Sequence, residues 1–179
     1  IIKNTAIVSV MAANNEIGTL APLHKIGQIA REHGVLFHTD AAQAVGHLPI
    51  DVQEMNIDLM SISAHKFYGP KGVGLLYIRE GVQITPRIFG GGQEFRMRGG
   101  TENPALILGF AKALELTLKN SKREAARLKE LRDVLLREIL KIDGIKLNGP
   151  LENRLPNNIN LYTNGFNGET LVMRLDLEG

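Results

Sequence analysis

The pattern that most constrains this chain is an apolar run, an amphipathic stretch and a second apolar run, in that order, over residues 6–40. Ala6-Ile7-Val8-Ser9-Val10-Met11 is apolar and β-branched without clear alternation, which predicts a strand buried on both faces. The polar loop Asn14-Asn15-Glu16-Ile17-Gly18 comes next. Pro22 to His33 then places Leu23, Ile26, Ile29 and Ala30 on one helical face, and Gly34 supplies the stop. Val35-Leu36-Phe37-His38-Thr39-Asp40 is the second run, and it ends on a carboxylate. Strand, helix and strand at this spacing predict a βαβ unit with parallel strands and a right-handed crossover.

Ligands of open α/β sheets bind beyond the carboxyl ends of the strands, so the residues just after each run carry the interest. Asp40 leads into Ala41-Ala42-Gln43-Ala44-Val45-Gly46. A third strand-like approach, Ile57 to Ile62, breaks off into Ser63-Ala64-His65-Lys66 and then Phe67-Tyr68-Gly69-Pro70-Lys71-Gly72. A lysine at the C-terminal end of a buried strand can be desolvated, and desolvation favours the neutral, nucleophilic form that Schiff-base chemistry needs. Taken alone, the same hexapeptide fits an ordinary surface turn. Gly74 to Arg79 reads as one more strand. The fold class is therefore α/β, with a mostly parallel sheet.

Residues 81–103 are glycine-rich, but neither they nor Gly69–Gly74 form a Walker A or G-x-G-x-x-G pattern, so no nucleotide fingerprint is present. Asn103-Pro104 predicts a helix start, running to about Lys119 with Leu106, Phe110, Ala113, Leu114 and Thr117 inward. Ser121-Lys122-Arg123-Glu124 is a capping box, predicting a second long helix with Leu128, Leu131, Leu135, Ile139 and Ile142 as its apolar stripe. From Gly144 short apolar pieces alternate with turns until a helix from Glu169, the texture of a smaller α+β domain. Three regions are expected: 1–103, the pair of bridging helices over 104–143, and 144–179 as the start of a small C-terminal domain.

Composition narrows the function. A net charge of +2, with Glu interleaved among the Lys and Arg of the long helical region, gives no basis for a nucleic-acid partner. No apolar run is long enough to span a membrane and no signal peptide is recognisable, so a cytoplasmic location is expected. There is no cysteine, hence no disulfide and no thiolate metal site, and the histidines at 24, 33, 38, 47 and 65 lack zinc-site spacing. A metal is not expected. His38, taken alone, reads as a satisfied core residue. The chain lacks an initiator Met and stops on a helix, so both ends are expected to be cut from something longer.

What remains is Asn15, Asp40, Gln43, Ser63, His65 and Lys66, all at strand ends or in the loops after them. An amine, a carboxylate, two amides and a hydroxyl suit a cofactor bearing an aldehyde, a ring nitrogen, a phenolic oxygen and a phosphate, which describes pyridoxal phosphate (PLP). Each residue separately is ordinary.

Together, four separated motifs in register carry a resemblance. They are Asn14-Asn15-Glu16-Ile17-Gly18, His38-Thr39-Asp40-Ala41-Ala42-Gln43, Ser61-Ile62-Ser63-Ala64-His65-Lys66-Phe67-Tyr68-Gly69-Pro70-Lys71-Gly72, and Gly90-Gly91-Gly92-Gln93-Glu94 with Arg98-Gly99-Gly100-Thr101-Glu102-Asn103. In order along the whole chain they resemble the NifS/IscS-type cysteine desulfurases of the class V aminotransferase family, PLP fold type I. The resemblance implies that Lys66 carries the cofactor as a Schiff base and moves a proton, with His65 beside it as a second catalytic candidate. It further implies Asp40 at the pyridine nitrogen, Gln43 and Asn15 near the phenolic oxygen, and Ser63 and His65 on the phosphate. Thr101 would reach the neighbouring subunit's phosphate, implying a homodimer. The implied reaction turns L-cysteine into L-alanine and passes sulfur, as a persulfide, to an iron–sulfur scaffold or another acceptor. The family's sulfur-accepting cysteine, its ring-stacking histidine and its substrate-carboxylate arginine have no counterpart in these residues, so the chain alone is expected to be inactive. The alternatives are another class V enzyme, such as a selenocysteine lyase or aminotransferase, and a non-catalytic paralogue or split subunit that binds a partner.

Overall fold

The computed structural model describes residues 1–179, which divide into two compact units: residues 1–12 with 21–121, and residues 13–20 with 122–179. The first unit contains β1 (Ile7–Met11), α1 (Leu23–Glu32), β2 (Leu36–Asp40), β3 (Leu59–Ser63), a single 3₁₀ turn (Ala64–Phe67) and β4 (Gly74–Ile78). The sheet order is β1-β2-β3-β4. β1, β2 and β3 run parallel, and β4 returns antiparallel to β3. The expected α/β class with a mostly parallel sheet is what forms.

α1 packs on the sheet face that carries Phe37 and Thr39. The helix buries Leu23, Gly27 and Ala30, while Ile29 turns 40% of its surface outward. Gly27 sets this rotation, because a Cβ there would stand 1.9 Å from the Met55 carbonyl oxygen. No side chain fits at so close an approach. The predicted stripe is one position out at Ile29 for this reason. The core is built from Phe37, Ile57, Ala64 and Phe67; complete burial of each phenylalanine contributes about 2–3 kcal/mol. Phe67 also meets Phe110 edge-to-face, with ring centroids 5.4 Å apart.

β1 corrects one expectation. It pairs only with β2, and Ile7, Ser9 and Met11 on one of its faces are exposed. Its unbroken apolar composition predicts burial on both sides, but among these 179 residues none covers the second side.

The helical region after Asn103 corrects another. Asn103 caps as expected, its Oδ1 accepting from the Leu106 N–H (3.1 Å). The predicted break at Ser121 does not occur: α2 is one helix from Pro104 to Ile139. Asn120 and Ser121 donate to carbonyls inside the helix, those of Leu116 and Leu118 (both 3.0 Å). Glu124 pairs with Arg127 rather than closing a capping box. Polar residues of this kind can satisfy the helix from within as readily as they can end it.

The second unit holds the later part of α2 and the hairpin of β5 (Ile145–Leu147) and β6 (Leu161–Thr163), followed by α3 (Gly168–Glu178), which Asn167 caps. Here the buried face of α2 carries Arg132 and Leu136, whereas Leu131, Leu135 and Ile142, expected inside, are exposed. The Arg132 guanidinium donates to the Leu155 carbonyl (3.1 Å) and to Asp133 (2.8 Å), which lets a cation occupy the inner face. No helix is long and apolar enough to cross a membrane.

Candidate active site

The carboxyl ends of β2 and β3 lie side by side because Asp40 is in register with Ser61. Residues two apart share a sheet face, so Asp40, Ser61 and Ser63 stand on one face, opposite the α1 layer, together with His38. Asp40 is half-buried. Its Oδ1 accepts from the Ala42 N–H (2.9 Å), which fixes the carboxylate as the chain turns. The turn is tightened by N–H donation from Ala44 and Val45 to the Ala41 carbonyl (2.9 and 3.1 Å) and carries Gln43, half-buried.

Beyond β3 the 3₁₀ turn separates its residues cleanly. Positions three apart eclipse in such a turn, so Ala64 and Phe67 both point into the core while His65 and Lys66 face outward and are exposed. Tyr68 closes the turn in the left-handed region (φ 66°), and the Gly69 N–H returns to the Ala64 carbonyl (2.9 Å). Gly74 pairs with Ser63 across the β3–β4 ladder, where an added Cβ would lie 2.8 Å from the Ile62 carbonyl oxygen. The space over Ser63 is thereby kept free of a side chain from β4.

Asp40, Gln43, Ser63, His65 and Lys66 are thus brought to one sheet edge. Thr101 is in the same unit, exposed on the glycine loop just before α2. That loop contains a left-handed turn of three non-glycine residues, Glu94, Phe95 and Arg96 (φ 47°, 55° and 66°), and its Phe89 and Phe95 are exposed. Such conformations cost on the order of 1–2 kcal/mol per residue and gather at binding elements. Asn15 falls in the second unit, within the 13–20 excursion, and is exposed.

Gln43, Ser63, His65, Lys66 and Thr101 use their side chains in no hydrogen bond or ion pair within the chain. The donor set they form with Asp40 is chemically that of a PLP site: an amine for an aldehyde, a carboxylate for a pyridinium, and hydroxyl and imidazole donors for a phosphate. The residues present fit the cofactor.

Two polar pairs of this unit lie outside the candidate donor set. The Ser9 hydroxyl and His38 Nδ1 are 2.7 Å apart on the Asp40 face, so His38 is half-buried and partnered across strands. The parallel register sets Ser9 directly opposite His38. At the opposite end of the sheet Asp58 is buried, accepting from the Phe37 N–H (2.8 Å) and pairing with Arg79 (2.5 Å). Nothing in an apolar strand approach announces it.

Known proteins resemble this chain along its whole length. The aminotransferase class-V family profile matches residues 1–179. A cysteine desulfurase IscS of Dictyoglomus turgidum is 54% identical over 178 residues, covering 99% of this chain and 45% of that protein. An IscS of Methanosarcina thermophila is 49% identical, covering 98% of the chain and 44% of its own length. Among solved structures, a NifS-like protein superposes with a TM-score of 0.95 at 39% identity, covering all of this chain and 49% of its own. The chain spans about half the length of the relatives it matches.

Proposed function

The chain belongs to the aminotransferase class-V family, and we propose that it is part of a PLP-dependent cysteine desulfurase. The observation that carries the proposal is the convergence of Asp40, Ser63, His65 and Lys66 on one edge of adjacent parallel strands, with the last three unused inside the chain. When bound, PLP supplies an electron sink for a carbanion next to an amino group. Lys66 Nζ would hold the cofactor covalently and, once released, carry a proton to and from the substrate's α-carbon. The Asp40 carboxylate, already oriented by the Ala42 N–H, would keep the pyridine nitrogen protonated. Ser63 and His65 would donate to the phosphate, and Gln43 and Asn15 to the phenolic oxygen.

The substrate is L-cysteine, whose C–S bond breaks to leave L-alanine while the sulfur passes to a thiolate as a persulfide. These residues include no cysteine, so that thiolate lies outside them. The persulfide would go on to an iron–sulfur scaffold or another acceptor in the cytoplasm. A second copy of the chain would complete the site through Thr101; the exposed Phe89 and Phe95 on the same strained loop support such a partner surface. In this reading residues 1–103 are the later part of the cofactor-binding domain, 104–143 the bridge, now a single helix, and 144–179 the opening of the small domain.

The test is made on the full-length protein carrying this segment. The visible absorption band of bound PLP should appear on reconstitution and be lost in Lys66→Ala, and L-cysteine should yield alanine and persulfide in equal amounts. A band that survives Lys66→Ala would sink the proposal. The isolated 179-residue chain should release no alanine.

A further inference from the structure

Asn15 lies in an excursion, residues 13–20, whose ends are tied by the Ala21 N–H donating to the Ala12 carbonyl (3.0 Å). Inside it Asn14 does the folding. Its Oδ1 accepts from the N–H groups of Glu16 and Ile17 (both 2.9 Å), and its carbonyl accepts from Gly18 (3.1 Å). Asn15, next to it, has no such task and presents its side chain outward.

The loop between β5 and β6 grips this excursion. Leu20 donates to the Asn153 carbonyl and Leu155 to the Gly18 carbonyl (both 2.8 Å). Asn158 Nδ2 and Asn160 Nδ2 then converge on the carbonyl of Glu16, the residue after Asn15, at 2.9 and 3.2 Å. Gly18 (φ 71°) lies so close that a Cβ would come within 2.5 Å of Asn158 Oδ1.

The two amides have no freedom to flip. Arg154 Nη1 donates to Asn158 Oδ1 (2.9 Å), and Asn148 Nδ2 donates to Asn160 Oδ1 (2.8 Å). With each Oδ1 engaged by a donor, each Nδ2 must face the Glu16 carbonyl, whose two lone pairs are then both used. Arg154 is itself buried and meets no carboxylate; its remaining donors go to the carbonyls of Pro150 (2.8 Å) and Asn148. A buried cation without a counter-charge is costly, and joining two short strands does not require one.

We propose that Asn158, Asn160 and Arg154 are positioning residues for Asn15. They fix the Glu16–Ile17 peptide, one residue on from Asn15, and with it the orientation of the Asn15 amide. The inference rests on the cofactor role of Asn15 proposed above. Groups that meet a reacting ligand must be held to about 0.5 Å by such a supporting shell.

The test compares Asn15→Ala, Asn158→Ala, Asn158→Asp and the double variant Asn15→Ala/Asn158→Asp in the full-length, PLP-loaded protein. Asn158→Asp keeps an acceptor for Arg154 but removes the donor to Glu16, so it should fold even where Asn158→Ala does not. Hydrogen exchange of residues 16–18 should quicken by about tenfold, the weight of one hydrogen bond. The pH midpoint of the PLP absorption band should move in the same direction as in Asn15→Ala, and the double variant should show no further shift. Unchanged exchange overturns the inference. So does faster exchange with an unmoved band, or a fresh shift in the double variant, while Asn15→Ala moves the band. If Asn15→Ala leaves the band where it is, the cofactor role of Asn15 itself fails and takes the inference with it, a result recognisable from the single variant.

Discussion

The polar side chains of this molecule behave in two ways. In the second unit Asn14, Asn148, Asn158, Asn160 and Arg154 are bonded to one another and to backbone groups. Along the edge after β2 and β3, Gln43, Ser63, His65 and Lys66 have no partner in the chain. Stranding a buried polar group costs about 1–3 kcal/mol, so internally bonded amides are there to hold shape. Unpartnered donors gathered at a sheet edge stabilise nothing by themselves and are available to a ligand. The same residue types thus do opposite work, and partnership rather than identity tells them apart.

The largest expected effect tests the edge. Lys66→Ala should lower desulfurase activity of the full-length protein by at least about a thousandfold, as loss of a covalent catalyst does. Its unfolding free energy, read by urea titration of the apoprotein, should stay within about 0.5 kcal/mol of wild type, because the side chain removed is exposed and has no hydrogen bond or ion pair in the chain. A variant that melted early would break the comparison. Arg154→Met should do the reverse: it strands three acceptors and should cost about 3 kcal/mol. Between these stands Asp58→Asn, which keeps the shape of the carboxylate but loses its charge toward Arg79. About 2 kcal/mol is expected, with no change in PLP binding, since Asp58 sits at the far end of the sheet.

The edge was legible in the sequence, and the second population was not. Strand ends at Asp40 and Ser63 came from apolar runs that stop on polar residues, and the 3₁₀ turn that exposes His65 and Lys66 kept them next to Ser63. The asparagines at 148, 158 and 160 looked like ordinary loop residues, because the carbonyl that Asn158 and Asn160 share is more than a hundred positions away at Glu16, and Asn148 acts by bonding Asn160. Periodicity failed where a single atom decided the rotation of an element. Gly27 against the Met55 carbonyl turned Ile29 outward, and Arg132 took an inner position that apolar spacing had given to Leu131. The break expected at Ser121 failed for a different reason, since hydroxyl and amide groups that cap helices also bond within them.

The smallest effect lies on α2, where Asp133 is held by partners yet remains near the solvent. Its carboxyl is pulled below the ordinary carboxylate range, first by the hydrogen bond from Lys129 and then by that from Arg132. A carboxyl whose pKa is depressed on folding adds stability above its unfolded pKa and loses it as pH falls through the folded value. Asp133→Asn should therefore cost less than about 1 kcal/mol at neutral pH, as for other solvent-screened pairs, and less still at high salt. The gap between wild type and variant should close as the pH drops below the usual carboxylate range. A gap unchanged at acid pH would mean that Asp133 acts through shape, as the asparagines do, by holding Arg132 against the Leu155 carbonyl. Charge would then play no part in either way that polar groups build the second unit, and the contrast with Lys66 would be sharper.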